Sequence, residues 1–173
     1  ATITKLRNHS LNLYKELEKE TGLSTGLKQN GSLTVATTSE RLEELKRQVT
    51  FAQRFNIEAN EVNIERIREL YPLIDTKDIV GGVFIPKDGQ ADPIGVANVL
   101  AKAAKNNGAK IVEKCPVKKI LIRNNKIEGV ETGNGIIKCE YVVLATGMWS
   151  RQIAADVGVS IPLYPNEHFY ILS

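Results

Sequence analysis

Two short runs in this sequence combine residue types suited to chemistry on a bound small molecule. In the first, Tyr141-Val142-Val143-Leu144 leads into Ala145-Thr146-Gly147 and then Met148-Trp149-Ser150-Arg151. An apolar strand that enters a small-residue turn and a helix start lets a nucleotide's phosphate or ribose approach the backbone closely. The same residues also fit an ordinary strand-to-helix turn, in which Gly147 supplies a backbone angle and Trp149 is core. In the second run, His168 lies in Asn166-Glu167-His168-Phe169-Tyr170. On a strand, His168 and Tyr170 face the same side. A neutral imidazole beside a phenol can bind an amine or accept its proton near neutral pH. A strand histidine that merely hydrogen-bonds a neighbour fits as well.

Other chemistries find little support. No Gly-x-Gly-x-x-Gly loop occurs, nor a P-loop, a nucleophile elbow or a metal-ligand constellation. Ser150 sits in Trp-Ser-Arg without the glycine frame of a hydrolase nucleophile. Asp88 and Asp92 have turn and cap duties, and His9 lies on a polar helix face. Cys115 and Cys139 are isolated and read as reduced thiols without metal spacing. The net charge of +3 is interleaved along the chain. Lys118-Lys119 and Lys102 with Lys105 therefore read as solvated faces, not as a nucleic-acid surface.

The 173 residues are 42% hydrophobic and 25% charged, as in an ordinary globular protein. No apolar run approaches the roughly 20 residues that span a bilayer, so no membrane partner is expected. The start, Ala1-Thr2-Ile3-Thr4-Lys5, has no signal-peptide core and reads as a cut inside a longer protein.

The elements that must position these residues follow from periodicity and punctuation. Residues 3–20 carry Ile3, Leu6, Leu13, Tyr14 and Leu17 at near-helical spacing, and Gly22 ends the run. Residues 27–37 read as extended, with a turn or bulge at Asn30-Gly31. Ser39 is the expected N-cap of a helix striped by Leu42, Leu45, Val49 and Ala52. A short helix over 63–70 stops before Pro72. Residues 78–86 are extended, with Gly81-Gly82 clearing space for close packing. Asp92-Pro93 starts a helix that Gly108 ends. A short strand is expected at 110–113. Val117–Arg123, Lys126–Thr132 and residues 135–139 form an antiparallel meander through the turns Asn124-Asn125 and Gly133-Asn134. Residues 141–144 read as a strand buried on both faces of a parallel sheet, 149–157 as a helix closed by Gly158, and 161–172 as extended.

Taken in order, several pieces resemble the FAD-dependent amine oxidoreductases of the D-amino-acid-oxidase superfamily, in the dimethylglycine and sarcosine dehydrogenase branch. They are Gly31-Ser32-Leu33-Thr34-Val35-Ala36-Thr37-Thr38 with the Glu40-Arg41-Leu42 helix, Glu69-Leu70-Tyr71-Pro72-Leu73, and Gly81-Gly82 through Pro86. They continue with Asp88-Gly89, Ala91-Asp92-Pro93, Ala145-Thr146-Gly147-Met148-Trp149, and Pro162-Leu163 through His168-Phe169-Tyr170. The resemblance implies that Val117 lies near the FAD adenine side, that Ala145, Thr146 and Gly147 contact the cofactor, and that His168 reaches the substrate amine. It also implies that the Gly-rich loop, the histidine that tethers FAD in this branch and any folate-binding module lie outside this chain.

The resulting expectation is an α/β or mixed α+β piece of a two-lobed FAD/NAD(P)-binding-type flavoprotein with a three-stranded β-meander insert. Residues 1–86 would belong to the substrate lobe, 87–158 to the FAD lobe, and 159–173 would return to the substrate lobe. The intact protein would oxidise a small N-methyl amino acid such as dimethylglycine or sarcosine, with hydride passing to the flavin and an iminium left for water to hydrolyse. This chain alone would be inactive, would lack FAD and would be prone to self-association at exposed strands. The expected location is cytoplasmic, or the mitochondrial matrix in a eukaryote. Three rivals fit the same residues: a non-catalytic relative resembling the regulatory subunit of pyruvate dehydrogenase phosphatase, a nicotinamide-dependent oxidoreductase, and a stand-alone interaction domain.

Overall fold

A computed structural model describes residues 2–170 of the chain. It is mixed α/β and divides after Ile111 into two units, each with a three-stranded antiparallel sheet.

In the first unit, α1 (Thr2–Thr21) ends where Gly22 turns left-handed (φ +69°) and donates its N–H to Glu18 O at 3.0 Å. Leu13 and Leu17 of α1 pack on Val99 and Ala103 of α4 (Pro93–Asn106). As the sequence predicts, Asp92 caps α4, accepting from the N–H groups of Ile94 and Gly95, and Pro93 occupies the first turn. Between these helices in sequence come β1 (Ser32–Ala36), β2 (Asn60–Val62) and β3 (Gly81–Ile85), which form a sheet in the order β1-β3-β2. Helix α2 (Ser39–Gln53) lays Leu45, 1% exposed, against Ala36, Ala59 and Val83, and α3 (Ile64–Leu70) buries Ile67. The glycine pair does clear space: a Cβ on Gly82 would lie 2.6 Å from Thr34 O and 3.3 Å from Ile67 Cδ1.

Two local expectations are corrected here. The N-cap of α2 is Thr38, not Ser39. Thr38 has the extended backbone a cap requires (φ −134°, ψ 157°) and its Oγ1 accepts from Arg41 N at 3.2 Å, while Ser39 is already helical. Strand β2 was not anticipated, because Asn60-Glu61-Val62 offers a single apolar residue and takes its strand character from pairing with β3.

The second unit carries the predicted meander: β4 (Val117–Arg123), β5 (Lys126–Thr132) and β6 (Gly135–Lys138). Asn124 and Asn125 are both left-handed (φ +50° and +61°), which suits the strand twist at a two-residue turn. A short 3-10 turn, Gly147–Trp149, opens α5 (Ser150–Ala155), and Gly158 (φ +75°) closes it, with Gly158 N donating to Ala155 O and Val159 N to Ala154 O.

Three expected strands are absent from the described residues. Residues 110–113 form none. Residues 141–144 form none and are not buried on both faces, since Tyr141 is 85% and Val143 87% exposed. An apolar run signals burial, but a strand exists only where neighbours take up its N–H and C=O groups, and among the described residues nothing pairs with this run. Residues 161–170 likewise lie outside any ladder; Ile171 and Leu172 fall outside the described residues.

Candidate functional site

All the residues singled out from the sequence fall in the second unit. Val117 opens β4 in register with Thr132 and is half exposed. Ala145, Thr146 and Gly147 are exposed between the unpaired 141–144 run and α5. The turn holds its own shape. Thr146 O accepts from Trp149 N at 3.2 Å, and Thr146 Oγ1 lies 2.9 Å from Oγ of the buried Ser150. Gly147 is left-handed (φ +55°), and no atom lies within 4 Å of where its Cβ would be. Trp149 is 62% exposed, so within this chain it is not part of a core. The turn therefore pairs a fixed backbone with an open face, the arrangement a phosphate or ribose needs for close approach.

His168 is exposed, as are Phe169 and Tyr170. The expectation that His168 and Tyr170 share one side of a strand is corrected, because no strand forms there. Among the described residues no hydrogen bond or ion pair links Val117, the 145–147 turn and His168.

The sequence reading missed two features of the first unit. One is an open groove of about 500 Å³ lined by Leu42, Glu61, Val62, Arg66 and Val80. Lys46 reaches Glu61 across 3.4 Å there, and hydrogen bonds to Glu43 and then Glu61 hold its ammonium above the usual lysine range. Two of its lining residues, Glu61 and Val62, come from β2, for which the sequence carries no clear signal. The other feature is a carboxylate tie. Glu18 accepts from both the Oγ1 and the N–H of buried Thr25 at 2.6 Å, and these bonds hold its carboxyl below the usual range. Thr25 O in turn accepts from Asp92 N at 2.9 Å, so the tie joins the end of α1 to the start of α4. A Ser-Thr pair just past Gly22 was the available clue.

The fold and the turn together define the class. The L-proline dehydrogenase of P. horikoshii superposes with a TM-score of 0.81 at 36% identity, over 88% of this chain and 40% of that one. The family model for FAD dependent oxidoreductases matches residues 1–173, and the chain belongs to that family. Human sarcosine dehydrogenase, a mitochondrial protein, is 36% identical over 164 residues, covering 92% of this chain and 18% of its own length. The mitochondrial pyruvate dehydrogenase phosphatase regulatory subunit of Mus musculus is 37% identical over 171 residues, covering 98% of this chain and 20% of its own length. The chain thus spans about a fifth of the length of these curated relatives.

Proposed function

We propose that the protein carrying this chain is an FAD-dependent oxidoreductase that oxidises a small secondary or tertiary amine, an N-methyl amino acid of the sarcosine or dimethylglycine kind. The observation that carries the reading is the open, self-braced turn at Ala145–Gly147 in a chain that matches the family from end to end. The residues fit the cofactor: the turn is made of small, exposed residues, and no atom lies within 4 Å of where a Gly147 Cβ would be. FAD held there would supply the hydride acceptor for amine oxidation.

The roles proposed for this chain's residues are those that its resemblance to the family implies. Ala145, Thr146 and Gly147 offer backbone to the phosphate or ribose, and Val117 flanks the adenine side. His168 accepts the proton of the bound amine. A protonated nitrogen has no lone pair to drive hydride departure, so this transfer prepares the substrate. We assign residues 1–86 and 159–173 to the substrate lobe of the intact protein and 87–158 to its FAD lobe. The sequence lacks a Gly-rich phosphate loop, so residues 1–173 alone supply only part of a flavin cleft and carry no stable FAD. The mitochondrial relatives favour a matrix location if the source is eukaryotic.

The test is His168→Ala in the full-length protein. Flavin content should persist while amine turnover falls about 100-fold or more, the usual scale for losing a general base. Unchanged turnover across a full pH profile would remove His168 from the mechanism. A second reading, a regulatory protein without turnover, is favoured by the likeness to the phosphatase regulatory subunit. Full-length protein that binds FAD yet reduces it with no N-methyl amino acid would support that reading instead.

A further inference from the structure

The meander of the second unit has two outer edges, β4 and β6, and the sequence treats them differently. An exposed edge invites another strand, and proteins block it with charge and irregular pairing. Strand β4 carries both devices. It bears Lys118, Lys119 and Arg123, and register shifts at Val117/Lys119 and Leu121/Ile122 interrupt its pairing with β5. Strand β6 carries little of either. Its pairing with β5 runs unbroken from Thr132↔Gly135 to Gly129↔Lys138, and its sequence is Gly-Ile-Ile-Lys. Ile136 is 63% and Ile137 51% exposed, and as neighbours on a strand they point to opposite faces of the sheet.

The backbone of β6 is open as well. Cys139 N donates to Glu128 O at 3.3 Å, towards β5. Successive residues of an antiparallel strand alternate in the side to which they bond. Residues 135, 137 and 139 therefore turn to β5, and the N–H and C=O groups of Ile136 and Lys138 point outward. Among the described residues no strand pairs with them. Ile137 also ends an apolar row: Ile120, 5% exposed, pairs with Val130, and Val130 pairs with Ile137.

We propose that β6 is a docking edge for a second copy of this chain, paired antiparallel to itself about Ile137. Ile136 and Lys138 of one copy bond to Lys138 and Ile136 of the other. Ile137 stands opposite its counterpart, so the Ile120–Val130–Ile137 row continues across the junction. The charges fit this register, because each Lys138 lies opposite an isoleucine. Sliding one way sets Lys138 against Lys138, a destabilising pair; sliding the other way sets Ile137 against Gly135 and breaks the row. So short an edge buries less than the about 1,000 Å² of a lasting interface, and the contact is weak and concentration-dependent.

The experiment follows self-association of the full-length protein by sedimentation velocity over a concentration series reaching the sub-millimolar range. Ile137→Lys, at an exposed position, should raise the dimer Kd about tenfold or more, because it removes the apolar pair and opposes two like charges. A second probe reads the register. Facing residues 137 lie about 4.5 Å apart between Cα atoms, within disulfide range, whereas residues 136 are offset beyond the roughly 7 Å limit. On oxidation, Ile137→Cys protein should form a covalent dimer that the unsubstituted and Ile136→Cys proteins do not. A wild type that stays monomeric throughout, a dimer that Ile137→Lys leaves intact, or equal cross-linking at positions 136 and 137 would overturn the proposal.

Discussion

The cofactor assignment for the 145–147 turn is testable with a matched pair of glycine substitutions in the full-length protein. Gly147 and Gly158 are both left-handed, at φ +55° and +75°, and in both cases no atom lies within 4 Å of an added Cβ. Alanine at either site therefore meets no clash in this chain and is left with the backbone term, about 1–2 kcal/mol for an L-residue held left-handed. That cost is present with and without flavin, so it lowers thermal stability equally in the two variants and leaves the flavin Kd untouched. Only at Gly147 does the new methyl project from the turn proposed to meet the cofactor. An intruding methyl at a close contact costs about 1–3 kcal/mol, which corresponds to a roughly 5- to 150-fold weaker Kd. Flavin retention is read from the ratio of visible to protein absorbance, and Kd from titration of the stripped protein. Gly147→Ala should weaken flavin binding and Gly158→Ala should not, at matched losses of Tm. Equal flavin affinity in the two variants would refute the reasoning and with it the assignment of Thr146-Gly147.

Two further substitutions probe how the first unit is built. Gly82→Ala should destabilise that unit by about 1–3 kcal/mol in urea unfolding, since its Cβ would lie 2.6 Å from the Thr34 carbonyl oxygen on the paired strand. Gly133→Ala meets nothing within 4 Å and should be neutral; similar losses for the two would show that the β1–β3 approach is slack. Glu18→Gln tests the tie between α1 and α4 through its pH dependence. The hydroxyl and N–H of Thr25 lower the Glu18 pKa from 4.5, so the stabilisation is complete above that value and fades as pH falls through the folded-state pKa. Wild type should be the more stable at neutral pH, with the gap closing in acid. A gap that is constant down to pH values below the folded pKa would show that the carboxylate charge plays no part.

What could be read from the sequence was what local chemistry dictates. Asp92-Pro93 and Gly108 bound α4 because a cap oxygen, a fixed φ and a left-handed residue act within one turn of the chain. The meander was legible for the same reason, through Asn124-Asn125 and Gly133-Asn134. Features that depend on distant partners were not. Strand β2 exists because β3 lies beside it, and the Glu18–Thr25 tie depends on how the chain folds back after Gly22. At the candidate site the turn itself was legible, with its small residues and open backbone. The run 141–144 was read as a buried strand because it is fully apolar, and 161–172 as extended. Among the described residues neither segment lies in a ladder.

The exposure of those runs bears on where the site is completed. The accessible area is 13679 Å² for 19.1 kDa, whereas area scaling gives about 8,400 Å² for that mass in one compact body and about 10,000 Å² in two. Beside the candidate turn in sequence, Tyr141, Val143 and Trp149 are each more than half exposed, as are Phe169 and Tyr170 further along the chain. Large apolar side chains left this exposed mark a surface that is normally covered. The relatives place roughly four fifths of their length outside the matched span and so have ample chain to cover it. Under the proposed assignment, Thr146 and Gly147 would hold part of the FAD, and this chain would supply one wall of its cleft. If Thr146-Gly147 hold the cofactor as proposed, contacts that bury the 141–144 run would also complete the cleft and would couple folding of this segment to flavin binding. This is why the Gly147 comparison belongs in the full-length protein, where the covering surface is present.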